Sequence, residues 1–127
     1  MITTLISVAV GGALGALMRY GASIMVAGTT IVPVWVATLT VNITGCALMG
    51  VMVGLMAQYP VIIEPWRPFI MVGFLGALTT FSSFALDSFT LLEQGHYLTL
   101  CGYLAASFTI SLSAFFAAYS IIKAGQI

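Results

Sequence analysis

Asn42, Tyr103, Ser107 and Ser111 are polar side chains set inside otherwise apolar sequence, and each can donate a modest hydrogen bond. Thr38 lies one helical turn before Asn42, so the two share a face. Tyr103, Ser107 and Ser111 recur at four-residue steps and would form a hydroxyl stripe along one face. Phe81 and Phe84 are three residues apart, and the positive edge of a phenyl ring can rest against a small anion. An amide N–H, hydroxyl dipoles and ring edges can hold an anion without a full positive charge, which suits a pore that must release its ion. Each group also has a plainer use. Asn42 can make an interhelical hydrogen bond worth about 0.6–2 kcal/mol. Serine and threonine hydroxyls in helices commonly bond back to the carbonyl four residues earlier. Phenylalanine in a membrane ordinarily faces lipid or core. From the residues alone both uses stand.

The elements that must position these groups follow from composition. Of 127 residues, 61% are hydrophobic and 5% charged, whereas a soluble domain carries roughly 25% charged residues. The bilayer must therefore act as solvent for most of the chain. The formal net charge is zero, which argues against nucleic acid as a partner. Four apolar runs can be drawn, at about 2–27, 33–57, 68–92 and 97–123. Each exceeds the roughly 20 residues needed to cross the hydrocarbon. The connections are short, so residues 1–127 read as a single all-α membrane domain of four spans. The first run lacks a basic leader and carries Arg19, so it reads as a retained span. Cys46 and Cys101 fall within spans and read as inert buried thiols.

The third run carries the sharpest signal, Gly73-Phe74-Leu75-Gly76-Ala77-Leu78-Thr79-Thr80-Phe81-Ser82-Ser83-Phe84. Helix-weakening glycines and adjacent hydroxyls predict a helix broken near the membrane midplane. Backbone that loosens at that depth must be buried in protein or line a polar cavity, because lipid cannot satisfy freed N–H and C=O groups. Interrupted spans are where ion and substrate sites are built.

Charge and glycine placement speak to assembly. Arg67 and Lys123 fall on one side of the membrane and Arg19 toward the other, which is almost no orienting bias. Copies that insert both ways could pair as an antiparallel homodimer; a single orientation fixed by another feature is the alternative. Gly11 with Gly15, and Gly50 with Gly54, form G-x-x-x-G pairs that allow close helix contact. Arg19 is costly in hydrocarbon, at least ~2.5 kcal/mol unpaired, and is expected to face a hydrated vestibule or to snorkel. Asp87 is the only acidic residue well inside a span. There is no HExxH, no CxxC, no nucleophile–base pair and no phosphate loop, so nothing points to catalysis.

Taken together, these residues resemble the Fluc/CrcB family of fluoride channels. The resemblance rests on Gly12-Ala13-Leu14-Gly15-Ala16-Leu17-Met18-Arg19-Tyr20, on Thr40-Val41-Asn42-Ile43-Thr44-Gly45, and on the Gly73–Phe84 stretch with its TTFS-x-F core. It implies a dual-topology antiparallel homodimer in the cell inner membrane, passing fluoride down its electrochemical gradient and so relieving fluoride toxicity. It also implies that Asn42, Phe81 and Phe84 contact fluoride, with Thr38, Tyr103, Ser107 and Ser111 along its path and Arg19 toward the vestibule. A structural sodium ion would be held by the main-chain carbonyls of Gly76 and Thr79. Ser83 stands where many relatives have threonine, which keeps the hydroxyl.

Other classes remain compatible with the residues alone. A proton-coupled exporter of small cations would need a membrane carboxylate, for which only Asp87 is placed. A fluoride–proton antiporter would use the same selectivity groups. A non-transporting assembly subunit would need the packing glycines but no polar interruption.

Overall fold

A computed structural model describes residues 1–29 and 31–125. Thr30, between the first two predicted runs, lies outside the described residues, as do Gln126 and Ile127. Four helical stretches are long and apolar enough to cross a membrane: Ile2–Ala27, Trp35–Gln58, Pro68–Glu93 and Tyr97–Ala124. At 1.5 Å rise per residue the first is about 39 Å long, more than the ~30 Å hydrocarbon, so it must tilt or project.

Helix α1 is Ile2–Ala27 and α2 is Trp35–Gln58. Pro33 and Val34 form a tight entry turn, accepting from the N–H groups of Val36 and Ala37, so α2 starts after the proline rather than at it. Its end is set by Pro60, which disfavours helical backbone at the preceding residue, and Tyr59 leaves the helix at φ −128°, ψ 58°. A single turn, α3 (Pro60–Ile63), and a 3₁₀ turn (Glu64–Trp66) fill the second connection. The Arg67–Glu64 ion pair there, at 3.4 Å and exposed, contributes little.

The third stretch is irregular. It opens with wide π-type turns over Pro68–Leu75 and continues as α4 (Gly76–Leu78). It resumes as α5 (Phe81–Glu93) after Thr79 (ψ 150°) and Thr80 (φ −151°, ψ 122°), whose backbone is extended. Helix α6 is Tyr97–Ala124, reached through a turn in which Gly95 has φ 73°.

Glycines set how closely these helices approach. A Cβ on Gly11 would strike the Phe69 carbonyl, and one on Gly15 the Phe74 carbonyl, so α1 lies backbone-to-backbone along the wide-turn segment. Gly50 meets the Phe115 carbonyl and Gly54 the side chain of Ile122, which joins α2 to α6. Both G-x-x-x-G pairs are thus helix contacts, where dispersion replaces the hydrophobic drive absent in lipid. Two small apolar clusters complete the interior: Val41, Leu75 and Leu78, and Phe84, Leu91 and Tyr103. Large apolar side chains such as Leu17, Met25, Leu98 and Ile121 project outward, as a lipid solvent allows. Cys46 is half-buried, whereas Cys101 is on the exposed surface of α6, not in the interior where the sequence reading put it.

Candidate functional site

Extended backbone at Thr79 and Thr80 cuts the i→i−4 ladder and leaves polar groups that must find other partners. Asn42 supplies two. Its Nδ2 donates to the Thr80 carbonyl at 3.1 Å, and its Oδ1 accepts the Thr80 N–H at 2.7 Å. Gly45, on the same face of α2, has no side chain to exclude Thr79, whose methyl occupies the space a Cβ would take. Thr80 Oγ1 caps α5 by accepting the Ser83 N–H at 3.1 Å. Thr79 Oγ1 donates back to the Leu75 carbonyl at 2.9 Å.

These groups open onto a groove of about 400 Å³, lined by Asn42, Thr79, Thr80, Phe81, Phe84, Ser107, Phe108 and Ser111, with Gly76 and Cys46 at its wall. Phe81 is 72% exposed and Phe84 7%. Their ring centroids are 5.4 Å apart, and Phe108 meets Phe84 edge-on at 5.8 Å.

Ser107 and Ser111 differ from the hydroxyls that bond back along their own helices. Ser23, Thr40, Ser88, Thr90 and Thr109 each donate to the carbonyl four residues back. The hydroxyls of Ser107 and Ser111 are buried and have no partner among the described residues. An unsatisfied buried hydroxyl costs about 1–3 kcal/mol. Two in succession on the wall of one groove are suited to meet something within it.

Not every residue of the predicted set lines this groove. Tyr103 is 2% exposed and Thr38 6%, and both are taken up in the packing. Tyr103 donates its hydroxyl to Asp87 at 3.2 Å and lies between Trp35 and Phe84, each 5.3 Å away. A second cavity of about 570 Å³ begins there, lined by Trp35, Asp87, Gln94 and His96 among others. The hydroxyl stripe is therefore divided: two serines face the groove, and the tyrosine reaches Asp87. Arg19 is half-buried; its Nε donates to the Ala77 carbonyl at 3.1 Å and its Nη1 to Ser83 Oγ at 3.4 Å. Phe108 lines the groove without having been singled out in the sequence, Thr80 was read only as part of the interrupted stretch, and Cys46 only as an inert thiol. The cap pattern Thr80-x-x-Ser83 could have flagged Thr80. Nothing in the sequence separates Phe108 from a lipid-facing ring.

Four apolar spans enclosing a groove of weak hydrogen-bond donors define a small polytopic helical membrane protein. Residues 6–119 match the family model described as CrcB-like protein, Camphor Resistance (CrcB), and the chain belongs to that family. It is 44% identical over 109 residues to the "Fluoride-specific ion channel FluC" of Saccharophagus degradans, covering 86% of this chain and 81% of that one. The protein of the same name from Paracoccus denitrificans is 42% identical over 118 residues, 93% of each chain. That of Pseudomonas fluorescens strain Pf0-1 is 42% identical over 123 residues, 97% of this chain and 99% of the relative. All three are named as ion channels, not as enzymes.

Proposed function

We propose that this protein is a fluoride-selective ion channel that lets fluoride leave the cytoplasm passively and so limits its toxicity. The observation that carries the reading is the pair of unpartnered hydroxyls, Ser107 and Ser111, facing Phe81, Phe84 and Asn42 across one groove. The names of the relatives support fluoride as the ion. Fluoride holds water tightly, so a path for it must replace hydration with several modest donors. The serine hydroxyls, the second N–H of Asn42 and the ring edges of Phe81 and Phe84 are such donors, and none carries a charge that would retain the ion.

The assembly belongs to the same proposal. The extended pair Thr79–Thr80 is read as a break near the membrane midplane of an antiparallel, dual-topology homodimer in the inner membrane, with two fluoride paths. The weak Lys/Arg bias supports mixed insertion. Epitope tags on both termini test it: termini on one side in every copy would rule the antiparallel dimer out.

A structural sodium ion fits the residues present. In an unbroken helix the Gly76 carbonyl would take the Thr80 N–H, and the Thr79 carbonyl the Ser83 N–H. Here those donors go instead to Asn42 Oδ1 and to Thr80 Oγ1. Gly76 and Thr79 thus have carbonyls whose usual partners are diverted, and such oxygens are hard ligands suited to a hard cation. With the same two carbonyls from an antiparallel partner they would hold the sodium, which would neutralise converging carbonyl dipoles.

Anion efflux from liposomes, read with fluoride and chloride electrodes, tests the function. Fast fluoride loss that requires valinomycin to release potassium, with chloride retained, is the expected result. No fluoride flux from a verified dimer would overturn it.

A further inference from the structure

The extended backbone at Thr79 and Thr80 removes the hydrogen bonds that would otherwise fix α4 relative to α5. Asn42 holds Thr80 itself but reaches neither flanking helix through the hydrogen bonds it makes. Arg19 reaches both. Its Nε donates to the carbonyl of Ala77 in α4, and its Nη1 to the hydroxyl of Ser83 in α5.

The sequence of α1 explains why the guanidinium arrives there. Gly11, Gly15 and Arg19 recur at four-residue steps and share one face. Gly11 and Gly15 set that face against the backbone of Phe69, Phe74 and Leu78. One turn further on, the same face meets the interruption, and there a long side chain replaces the glycine. Both glycines are buried and Arg19 is half-buried, so the helix is seated firmly before the arginine reaches across. Ser83 is itself tied to Thr80 Oγ1 at 3.2 Å, so the bond from Arg19 continues into the α5 cap.

We propose that Arg19 is a positioning residue: its guanidinium splints the two halves of the third span from α1, and so fixes the groove that α4, α5 and α6 share. This goes beyond the placement toward a hydrated vestibule expected from the sequence. A planar guanidinium offers donors in a rigid fork, so two acceptors on different helices can be held at once; a lysine ammonium is a single point on a flexible stem. The two roles therefore separate on a conservative substitution. Arg19→Lys keeps the charge and loses the fork.

The inference rests on the channel reading for its flux measurement, whereas its structural measurement stands alone. The parent, R19K, S83A and the double variant are reconstituted in nanodiscs for hydrogen exchange by mass spectrometry, and in liposomes for fluoride efflux. For R19K we expect faster exchange across residues 76–83 with α6 unchanged, and fluoride flux lowered about tenfold, the equivalent of one lost net hydrogen bond. S83A, which removes the far acceptor together with its hydroxyl tie to Thr80, should quicken exchange around residues 81–83. Because both substitutions break the same contact, the double variant should be no slower than R19K. Exchange or flux at the parental level in R19K would overturn the splint, as would losses from R19K and S83A that simply multiply. A folded parent that conducts no fluoride would sink the channel reading, and the exchange comparison would still decide for or against the splint.

Discussion

Asn42 and Thr80, 38 residues apart, exchange a pair of hydrogen bonds in which the side-chain amide of one meets both backbone polar groups of the other. The amide thus takes the place of a neighbouring strand for one residue of extended chain inside a helical protein. This accounts for asparagine: a donor and an acceptor are needed on two separate atoms of one planar group, whereas leucine has neither, an ionised aspartate only accepts, and serine carries both functions on a single oxygen that cannot face both backbone groups. One N–H of Asn42 remains for the groove.

Substituting Asn42 by Asp keeps the shape and the acceptor but removes the donor to the Thr80 carbonyl. A carboxylate would then oppose that carbonyl, and its charge would repel an anion in the groove. Fluoride efflux should be abolished. Asn42→Ala leaves both Thr80 groups unpaired, at about 1–3 kcal/mol each, and should lower thermal stability as well as flux. Undiminished fluoride flux in the aspartate variant would remove Asn42 from the pathway.

The serine pair separates stability from function. If Ser107 and Ser111 serve packing, alanine at either position should destabilise the protein. Their hydroxyls have no partner among the described residues, so Ser107→Ala and Ser111→Ala should leave thermal stability unchanged or slightly raised. Fluoride flux should fall about tenfold if each hydroxyl contributes one net hydrogen bond to the passing ion. Lower stability with parental flux would reverse the assignment.

How much of this was legible beforehand depends on the range of each interaction. The four helical stretches follow from apolar runs, and the first ends where it was drawn because that limit is a local property. Asn42 announced itself because an amide inside a span must find partners; that its partner is the Thr80 backbone depends on how α2 meets the third span. Tyr103 shares the register of Ser107 and Ser111, yet its longer side chain reaches Asp87 and leaves the groove. Spacing carries register but not reach. Gly73, Gly76 and the hydroxyl run marked an irregular third span, whereas the wide turns over Pro68–Leu75 carry no distinctive local signature. Phe108 stayed hidden because a ring beside a serine is ordinary in lipid-facing sequence.

The glycines of α1 give a graded test. A Cβ at Gly12 would meet nothing within 4 Å, whereas at Gly15 it would collide with the Phe74 carbonyl. Gly12→Ala should therefore be neutral or mildly stabilising, since alanine is the better helix former by about 1 kcal/mol. Gly15→Ala must push α1 away from the third span, displacing Arg19 with it. Its unfolding temperature in detergent should drop and its flux should be lost, while G12A tracks the parent. Equal behaviour of the two variants would contradict the backbone contact.

Removal of sodium tests the proposed role of the Gly76 and Thr79 carbonyls. Both have their usual N–H donors diverted, to Asn42 and to Thr80 Oγ1, so their oxygens are available to a cation but serve poorly as neighbours of one another. Protein purified and reconstituted with N-methylglucamine in place of sodium should lose subunit association, read by cross-linking, or lose fluoride flux, and sodium should restore what was lost. Replacing either residue by another that keeps the main-chain carbonyl would leave the ligand in place, so the ion itself is the variable to change. A dimer that stays intact and conductive without sodium would show that the diverted carbonyls are satisfied by other means.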